Sequence, residues 1–152
     1  MDNSIIVCQA TIRDLDLVAE LFNEYRVFYG QVSDLQGARD FLFERFEHQE
    51  SVILYAKEAA SGRPAGFTQL YPLFSSISMQ RLLLLNDLYV APQYRRNGVG
   101  QLLMDEAKQY AKLVRAKGIQ LSTGVENQTA QSLYERNGYV RDLVYYHYFL
   151  AI

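Results

Sequence analysis

Apolar side chains recur along this chain with two spacings, and the switches between them predict its elements. Residues 5–10 read as a strand. Asp14 can start a helix whose Val18, Leu21, Phe22, Tyr25 and Tyr29 share one face, and Gly30 ends it. Ser33 or Asp34 can cap a second helix with Leu35, Ala38, Leu42 and Phe46 in a stripe, Gly37 being its weak point. Residues 51–56 and 65–70 read as strands joined by the hairpin connection Ser61-Gly62-Arg63-Pro64. Pro72 is expected to end the second of them, and residues 74–79 form a serine-rich loop. Residues 81–90 give the strongest strand pattern, closed by Pro92, and its leucine run implies burial on both faces.

A third helix is expected from Gly98 to about Lys117, with Leu103, Ala107, Tyr110 and Val114 on one stripe and Gly118 as its stop. A short buried strand follows at residues 119–123. Asn127 caps a fourth helix in which Ala130, Leu133 and Tyr134 share a face, and Gly138 stops it. Tyrosine-rich strands at residues 139–142 and 144–150 complete the chain. The order β-α-α-β-β-β-α-β-α-β-β predicts an α/β or α+β chain with a mixed sheet.

Composition narrows the function classes. A chain of 152 residues with 49% hydrophobic content forms one domain, residues 1–152, with a real core. A formal charge of −2 argues against bulk attraction to nucleic acid or to an anionic membrane. No apolar run reaches the length of a membrane span and no signal peptide is apparent, so a cytoplasmic protein is expected. Cys8 is the single cysteine, which excludes an internal disulfide and reads as a buried, inert thiol. His48 and His147 stand far apart without metal-ligand spacing, so no metal is expected.

The candidate chemistry begins between the strand at 81–90 and the third helix. Tyr94-Arg95-Arg96-Asn97-Gly98-Val99-Gly100-Gln101 is a basic glycine turn that opens a helix. A helix start presents bare N–H groups and roughly half a positive charge, which suits phosphate. Gly98 and Gly100 let a ligand approach the backbone, while Arg95 and Arg96 add charge. The turn reads as a diphosphate cradle. A dinucleotide fingerprint fails because Leu103 stands where a third glycine is needed, and a P-loop fails because Gln101 and Leu102 follow Gly100.

Arg95-x-x-Gly98-x-Gly100, together with Asn127-x-x-Ala130-x-x-Leu133-Tyr134-Glu135-Arg136-Asn137-Gly138-Tyr139, resembles the two acetyl-CoA segments of the GNAT superfamily, the Gcn5-related N-acetyltransferases. The resemblance implies a central mixed, mostly antiparallel sheet splayed between strands 4 and 5, with helices on both faces. It implies acetyl-CoA as cofactor, CoA as product, and pantetheine held by the backbone of Leu88, Tyr89 and Val90. The N–H of Leu88 would polarise the thioester carbonyl. Residues 95–101, namely Arg95, Arg96, Asn97, Gly98, Val99, Gly100 and Gln101, would hold the diphosphate, with Asn127, Ala130 and Tyr134 beside the pantetheine arm.

By the same resemblance Tyr134 is the general acid for the departing thiolate; a phenol with an ordinary pKa of about 10 keeps its proton near neutrality. Leu84 occupies the position at which histone-acetylating members carry a glutamate base. Asp87 is the nearest strand carboxylate, either a proton acceptor or amine anchor or a structural group at a strand distortion, and Glu24 is a weaker candidate. Tyr25, Phe28, Tyr29, Gln69 and Tyr71, with Ser75 or Ser76, are candidates for the acceptor pocket, which suits a small-molecule amine. Two alternatives stay open: a protein lysine or N-terminus as acceptor, and a non-catalytic acyl-CoA-binding module. The apolar terminus at residues 144–152 is an edge at which the chain could form a homodimer.

Overall fold

The computed structural model describes residues 4–152, and the chain divides into two compact units, one ending at Ser122 and the other Thr123–Ile152. The first unit holds a five-stranded sheet in the order β1-β2-β3-β4-β5. Its strands are β1 (Ile5–Gln9), β2 (Val52–Glu58), β3 (Pro64–Ser75), β4 (Gln80–Val90) and β5 (Ala116–Gln120). The first three neighbouring pairs are antiparallel and β4–β5 is parallel. Its helices are α1 (Leu15–Phe28), α2 (Leu35–Glu47) and α3 (Val99–Leu113). Among the described residues no helix is long and apolar enough to cross a membrane.

Local rules set the helix ends. A Thr11 capping box opens a 3-10 turn (Ile12–Asp14) ahead of α1. Asp14 occupies the N-cap position of α1 but makes no side-chain cap bond there. Its carboxylate instead accepts the Thr11 N–H at 2.8 Å and the Tyr55 hydroxyl at 3.1 Å. Gly30, at φ +87°, follows the C-cap of α1 as expected. Asp34 caps α2 by accepting from the Gly37 N–H at 2.9 Å. A Cβ at residue 37 would collide with that carboxylate, so Gly37 lets the cap close rather than merely weakening the helix.

Both sheet faces are covered. Residues 65–70 of β3 are all buried, as strands flanked by helices on both sides must be. Gly66 lies against Leu103 of α3, whereas Phe67 packs edge-on to Phe22 and Tyr25 of α1. Neighbouring residues of a strand point to opposite faces, so α1 and α3 lie on opposite sides of β3. α2 joins the α1 layer through the stacked rings of Phe22 and Phe41, 5.6 Å apart. A Cβ on Gly66 would stand 2.5 Å from the Tyr89 carbonyl oxygen and 3.2 Å from the Val90 Cα. Both obstacles are backbone, so Gly66→Ala should force β3 from β4 and destabilise by about 1–3 kcal/mol. A thermal melt reads this directly, and an unchanged midpoint would refute the close approach.

Four expectations are corrected. β3 runs through Pro72 to Ser75, because β2 pairing ends at Val52↔Leu70 and leaves Pro72 with β4 alone, an edge setting that tolerates a missing N–H. β4 buries Leu83, Leu85, Asp87 and Tyr89 fully, but Leu82, Leu84 and Leu88 only partly. α3 stops at Leu113 because Arg115 takes the left-handed conformation, φ +57°; Gly118 therefore falls inside β5, which begins at Ala116 rather than at residue 119.

The fourth correction concerns the second unit. Its one helix is α4 (Gln128–Arg136), and residues 139–150 form no strand, so among the described residues the sheet has five members and not seven. Asn127 caps α4 by accepting the Ala130 N–H at 3.2 Å, and Gly138 follows at φ +85°, both as expected.

Candidate active site

The β3–β4 register builds the first half of the site. Gln69 pairs with Asp87 and Leu70 with Leu85, so Asn86 is an extra residue that bulges β4. Asp87 is 3% exposed. Its carboxylate accepts from Gln69 Nε2 at 2.6 Å and Asn86 Nδ2 at 3.1 Å, and the Tyr25 hydroxyl donates to it as well. Its carbonyl accepts from the Thr68 hydroxyl at 2.8 Å. Burial drives the Asp87 pKa up, and the donors from Gln69, Tyr25 and Asn86 oppose that without cancelling it.

Around this carboxylate the phenols are held neutral. Tyr25 is raised by burial first and then by the charge and hydrogen bond of Asp87. Tyr71 is pushed up to about 12 by burial and then by Asp87, with Arg45 pulling the other way. The Tyr25 ring touches Tyr29 at 5.0 Å and Tyr89 at 6.2 Å, and Phe28 lies 5.2 Å from Tyr29 and 6.2 Å from Tyr89. The α1 face of the sheet thus gathers Asp87, Gln69, Tyr25, Phe28, Tyr29 and Tyr89, with Tyr71 within reach of their charge. The Gln69 Oε1 is buried without a partner among the described residues. Glu24 accepts from the Tyr89 hydroxyl at 3.4 Å.

The glycine turn adjoins the end of β4. A 3-10 turn (Pro92–Tyr94) leads into it, Arg96 and Gly98 are left-handed at φ +65° and +75°, and Gly98 is the N-cap of α3. Turns of this kind set successive N–H groups around an anion. No side chain caps α3, and the space beside Gly98 is clear of atoms within 4 Å. An open, uncapped helix start fits a diphosphate. Arg95 turns away from it: its Nε donates to the Val90 carbonyl at 2.9 Å and its guanidinium lies 5.1 Å over Phe28 and 5.7 Å over Tyr89. Arg96 and Asn97 remain exposed in the turn, and Val99 anchors it in the core.

β5 pairs with β4 only as far as Leu84↔Gln120. Residues 85–90, which include Leu88, Tyr89 and Val90, therefore have no ladder partner on that side among the described residues. That is the divergence in which a pantetheine arm would find backbone groups. In the second unit, α4 carries Ala130 and Tyr134, and the Tyr134 ring lies 6.0 Å from Tyr139. Tyr139 is pushed up to about 12 by burial first and then by Tyr134.

Two positions of the β3–β4 cluster escaped the sequence reading, Thr68 and the bulged Asn86. Neither carries a local signal, since cross-strand register alone brings them to Asp87. Ser75 and Ser76 belong to the far hairpin tip, as Gln80 lies roughly 23 Å along β4 from Asp87 at 3.3 Å per residue. A cavity of about 380 Å³ opens toward the start of β4, lined among others by Phe46, Pro72, Arg81 and Tyr110, and it contains none of the candidate residues. Among the described residues no three His, Cys, Asp or Glu side chains converge as metal ligands.

The sequence profile of the Acetyltransferase (GNAT) family matches residues 17–139, a range that runs through both units. The chain therefore belongs to the GNAT acetyltransferase family and is an acyltransferase of the N-acetyltransferase type. It is 51% identical over 144 residues, 95% of each chain, to the "Uncharacterized N-acetyltransferase YhfO" of Bacillus subtilis (strain 168). A solved "probable acetyltransferase" is 44% identical and superposes with a TM-score of 0.92 over 97% of each chain. An aminoglycoside acetyltransferase, meta-AAC0020, from an uncultured soil metagenomic sample superposes with a TM-score of 0.80 over 99% of each chain at 18% identity, a likeness of fold alone.

Proposed function

We propose that the two units act as one cytoplasmic N-acetyltransferase domain, using acetyl-CoA to acetylate a primary amine of a small molecule. The observation that carries the acceptor half is the buried Asp87 carboxylate ringed by neutral phenols. Such a setting attracts a cationic amine and can also relieve it of a proton. Acetyl-CoA supplies an acetyl group activated as a thioester. Arg96, Asn97 and the N–H groups of residues 98–101 hold its diphosphate, and Asn127 and Ala130 line the pantetheine arm.

An ammonium has no lone pair, so attack requires loss of a proton. That proton reaches Asp87 through Tyr25, whose oxygen accepts it while its own hydrogen passes to the carboxylate. A raised carboxyl pKa suits a proton acceptor working nearer neutrality. Gln69 and Asn86 hold the carboxylate, and Tyr71 lends an oxygen lone pair to the amine. The Leu88 N–H polarises the acetyl carbonyl. As the C–N bond forms and the C–S bond breaks, Tyr134 would give its proton to the leaving sulfur, and the second proton shed by the acylated nitrogen would restore the Tyr134 phenol through solvent.

Asp87→Asn tests the acceptor half. The amide keeps the shape but sets an N–H₂ against one of three donors, so some loss of stability is expected. A base role predicts a lower maximal rate and loss of the acidic limb, because the wild-type rate rises as Asp87 ionises. An anchoring role predicts a raised acceptor KM with little change in kcat. Normal kinetics in the folded fraction, with only a lower melting midpoint, would retire Asp87 from the site.

A second reading, acetylation of a peptide amine, is favoured by the remote position of the β3–β4 hairpin tip, which is too far along β4 to cover Asp87. Thiol release measured against small amines, amino acids and peptides separates the two. No release with any acceptor, in a protein that binds CoA, would favour a non-catalytic module.

A further inference from the structure

We infer, on the acetyl-transfer reading above, that the acceptor is an amino-acid-like zwitterion whose carboxylate is held by Arg95 while its amine is received at Tyr25 and Asp87. Arg95 belongs by sequence to the glycine turn, yet its guanidinium is fixed among the acceptor-side rings. Its Nε donates to the Val90 carbonyl at 2.9 Å. The guanidinium carbon lies 5.1 Å from the centre of the Phe28 ring and 5.7 Å from that of Tyr89. Those two rings touch each other and join Tyr25 and Tyr29 in the cluster around Asp87.

A guanidinium held in this way has donors to spare. It carries more N–H groups than the Val90 carbonyl and the Tyr89 hydroxyl consume. Among the described residues no carboxylate forms an ion pair with it. Arg95 is exposed, and Phe28 and Tyr29 are 59% and 58% exposed, so a ligand can reach the fork. That planar fork matches a carboxylate with two parallel hydrogen bonds. The opposite charge lies close by. Asp87 and Tyr89 are two residues apart on one face of β4, about 6.6 Å at 3.3 Å per residue. The Tyr25 hydroxyl donates to the Asp87 carboxylate, and the Tyr25 ring lies 6.2 Å from Tyr89. A hydrogen bond at each end adds roughly 2.8 Å, so a molecule with its amine and carboxylate a few bonds apart reaches both poles.

Other amines fit this pair of poles less well. A simple monoamine leaves the Arg95 fork without a counter-charge. A diamine needs a place for its second cation, and the aromatic faces of Phe28 and Tyr89 are already taken by Arg95. A phosphate-bearing amine would bring two negative charges toward Glu24, whose carboxylate accepts from the Tyr89 hydroxyl at 3.4 Å. Glu24 raises the Tyr89 pKa and Arg95 lowers it, so both charges are felt at one phenol. A single carboxylate balances Arg95 with the least repulsion from Glu24. The N-terminus of a peptide has no free carboxylate beside its amine.

Thiol release at saturating acetyl-CoA should be measured with the common free amino acids, their carboxamides and the amines left by their decarboxylation. Each trio shares a side chain and differs in the group that Arg95 reads. For the amino acids used best, kcat/KM should favour the free acid over both counterparts by about tenfold or more, the scale for losing one partner of a charged hydrogen bond. This comparison uses the unaltered protein and depends on no variant. Arg95→Gln should remove the preference, and Arg95→Lys, which keeps the charge without the fork, should retain part of it. A CoA-induced rise in melting temperature shows that each variant is folded despite the lost Val90 contact. Transfer to the amides or amines as fast as to the acids would overturn the zwitterion and leave acetyl transfer standing. A preference for the free acid that survives Arg95→Gln would also overturn it, and a simultaneous loss of CoA affinity would return Arg95 to the diphosphate. No release with any acceptor would overturn both readings.

Discussion

Replacing Tyr134 by phenylalanine should lower the maximal rate of acetyl transfer by about 10²-fold or more, the usual scale for losing a general acid. The substitution removes one oxygen and keeps the ring, so the 6.0 Å contact with Tyr139 and the packing of α4 survive. CoA affinity should stay within a few-fold, because Asn127 still caps the helix through the Ala130 N–H. The adjacent phenol is the natural control. Tyr139 is pushed up to about 12 by burial first and then by Tyr134, and Tyr139→Phe leaves the Tyr134 phenol in place, so that variant should leave the rate nearly unchanged. An unaltered rate in Tyr134→Phe, with the chemical step shown to limit turnover, would reduce Tyr134 to a packing residue. A loss shared equally by the two variants would point to the ring pair rather than to the proton.

What the sequence made legible here is what local chemistry decides. Asp34, Asn127, Gly30 and Gly138 announce helix ends because a cap or a left-handed stop is satisfied within a few residues of itself. Arg115 hid the end of α3 because a non-glycine residue took the left-handed position, and Gly118 offered a false signal three residues later. Pro72 misled for a different reason. Its cost depends on whether a strand flanks it on both sides, and β2 stops at Val52, a fact set by tertiary register.

The site divides along the same line. The glycine turn could be located from spacing because its geometry, a left-handed Gly98 that opens α3, is set by consecutive backbone groups. Asp87 could be named from its position, but its partners could not: Gln69 and Tyr25 are distant in sequence and meet it only through a bulge and a helix crossing. The strand pattern at residues 144–150 is genuine in its alternation. A strand is completed by its neighbour, however, and among the described residues none is paired with that segment.

Gly100→Val should abolish the rise in melting temperature that CoA gives the unaltered protein, while leaving the unliganded melt close to normal. A ligand that binds only the folded state at 100 times its Kd stabilises by about 2.7 kcal/mol, a shift large enough to lose visibly. The fold should tolerate the change. Residue 100 lies in the first turn of α3, where valine costs less than about 1 kcal/mol in helix propensity. The added methyls would project where the diphosphate must approach the helix start, so the loss falls on binding. Gly98→Ala separates strain from obstruction. At φ +75° any side chain is strained, yet a Cβ there meets no atom within 4 Å, so this variant should melt lower and still respond to CoA. NAD and ATP should give much smaller shifts, since the turn lacks the third glycine of one motif and the lysine of the other. Equal stabilisation of Gly100→Val and the unaltered protein by CoA would remove the glycine turn from the cofactor site, and with it the observation on which the diphosphate assignment stands.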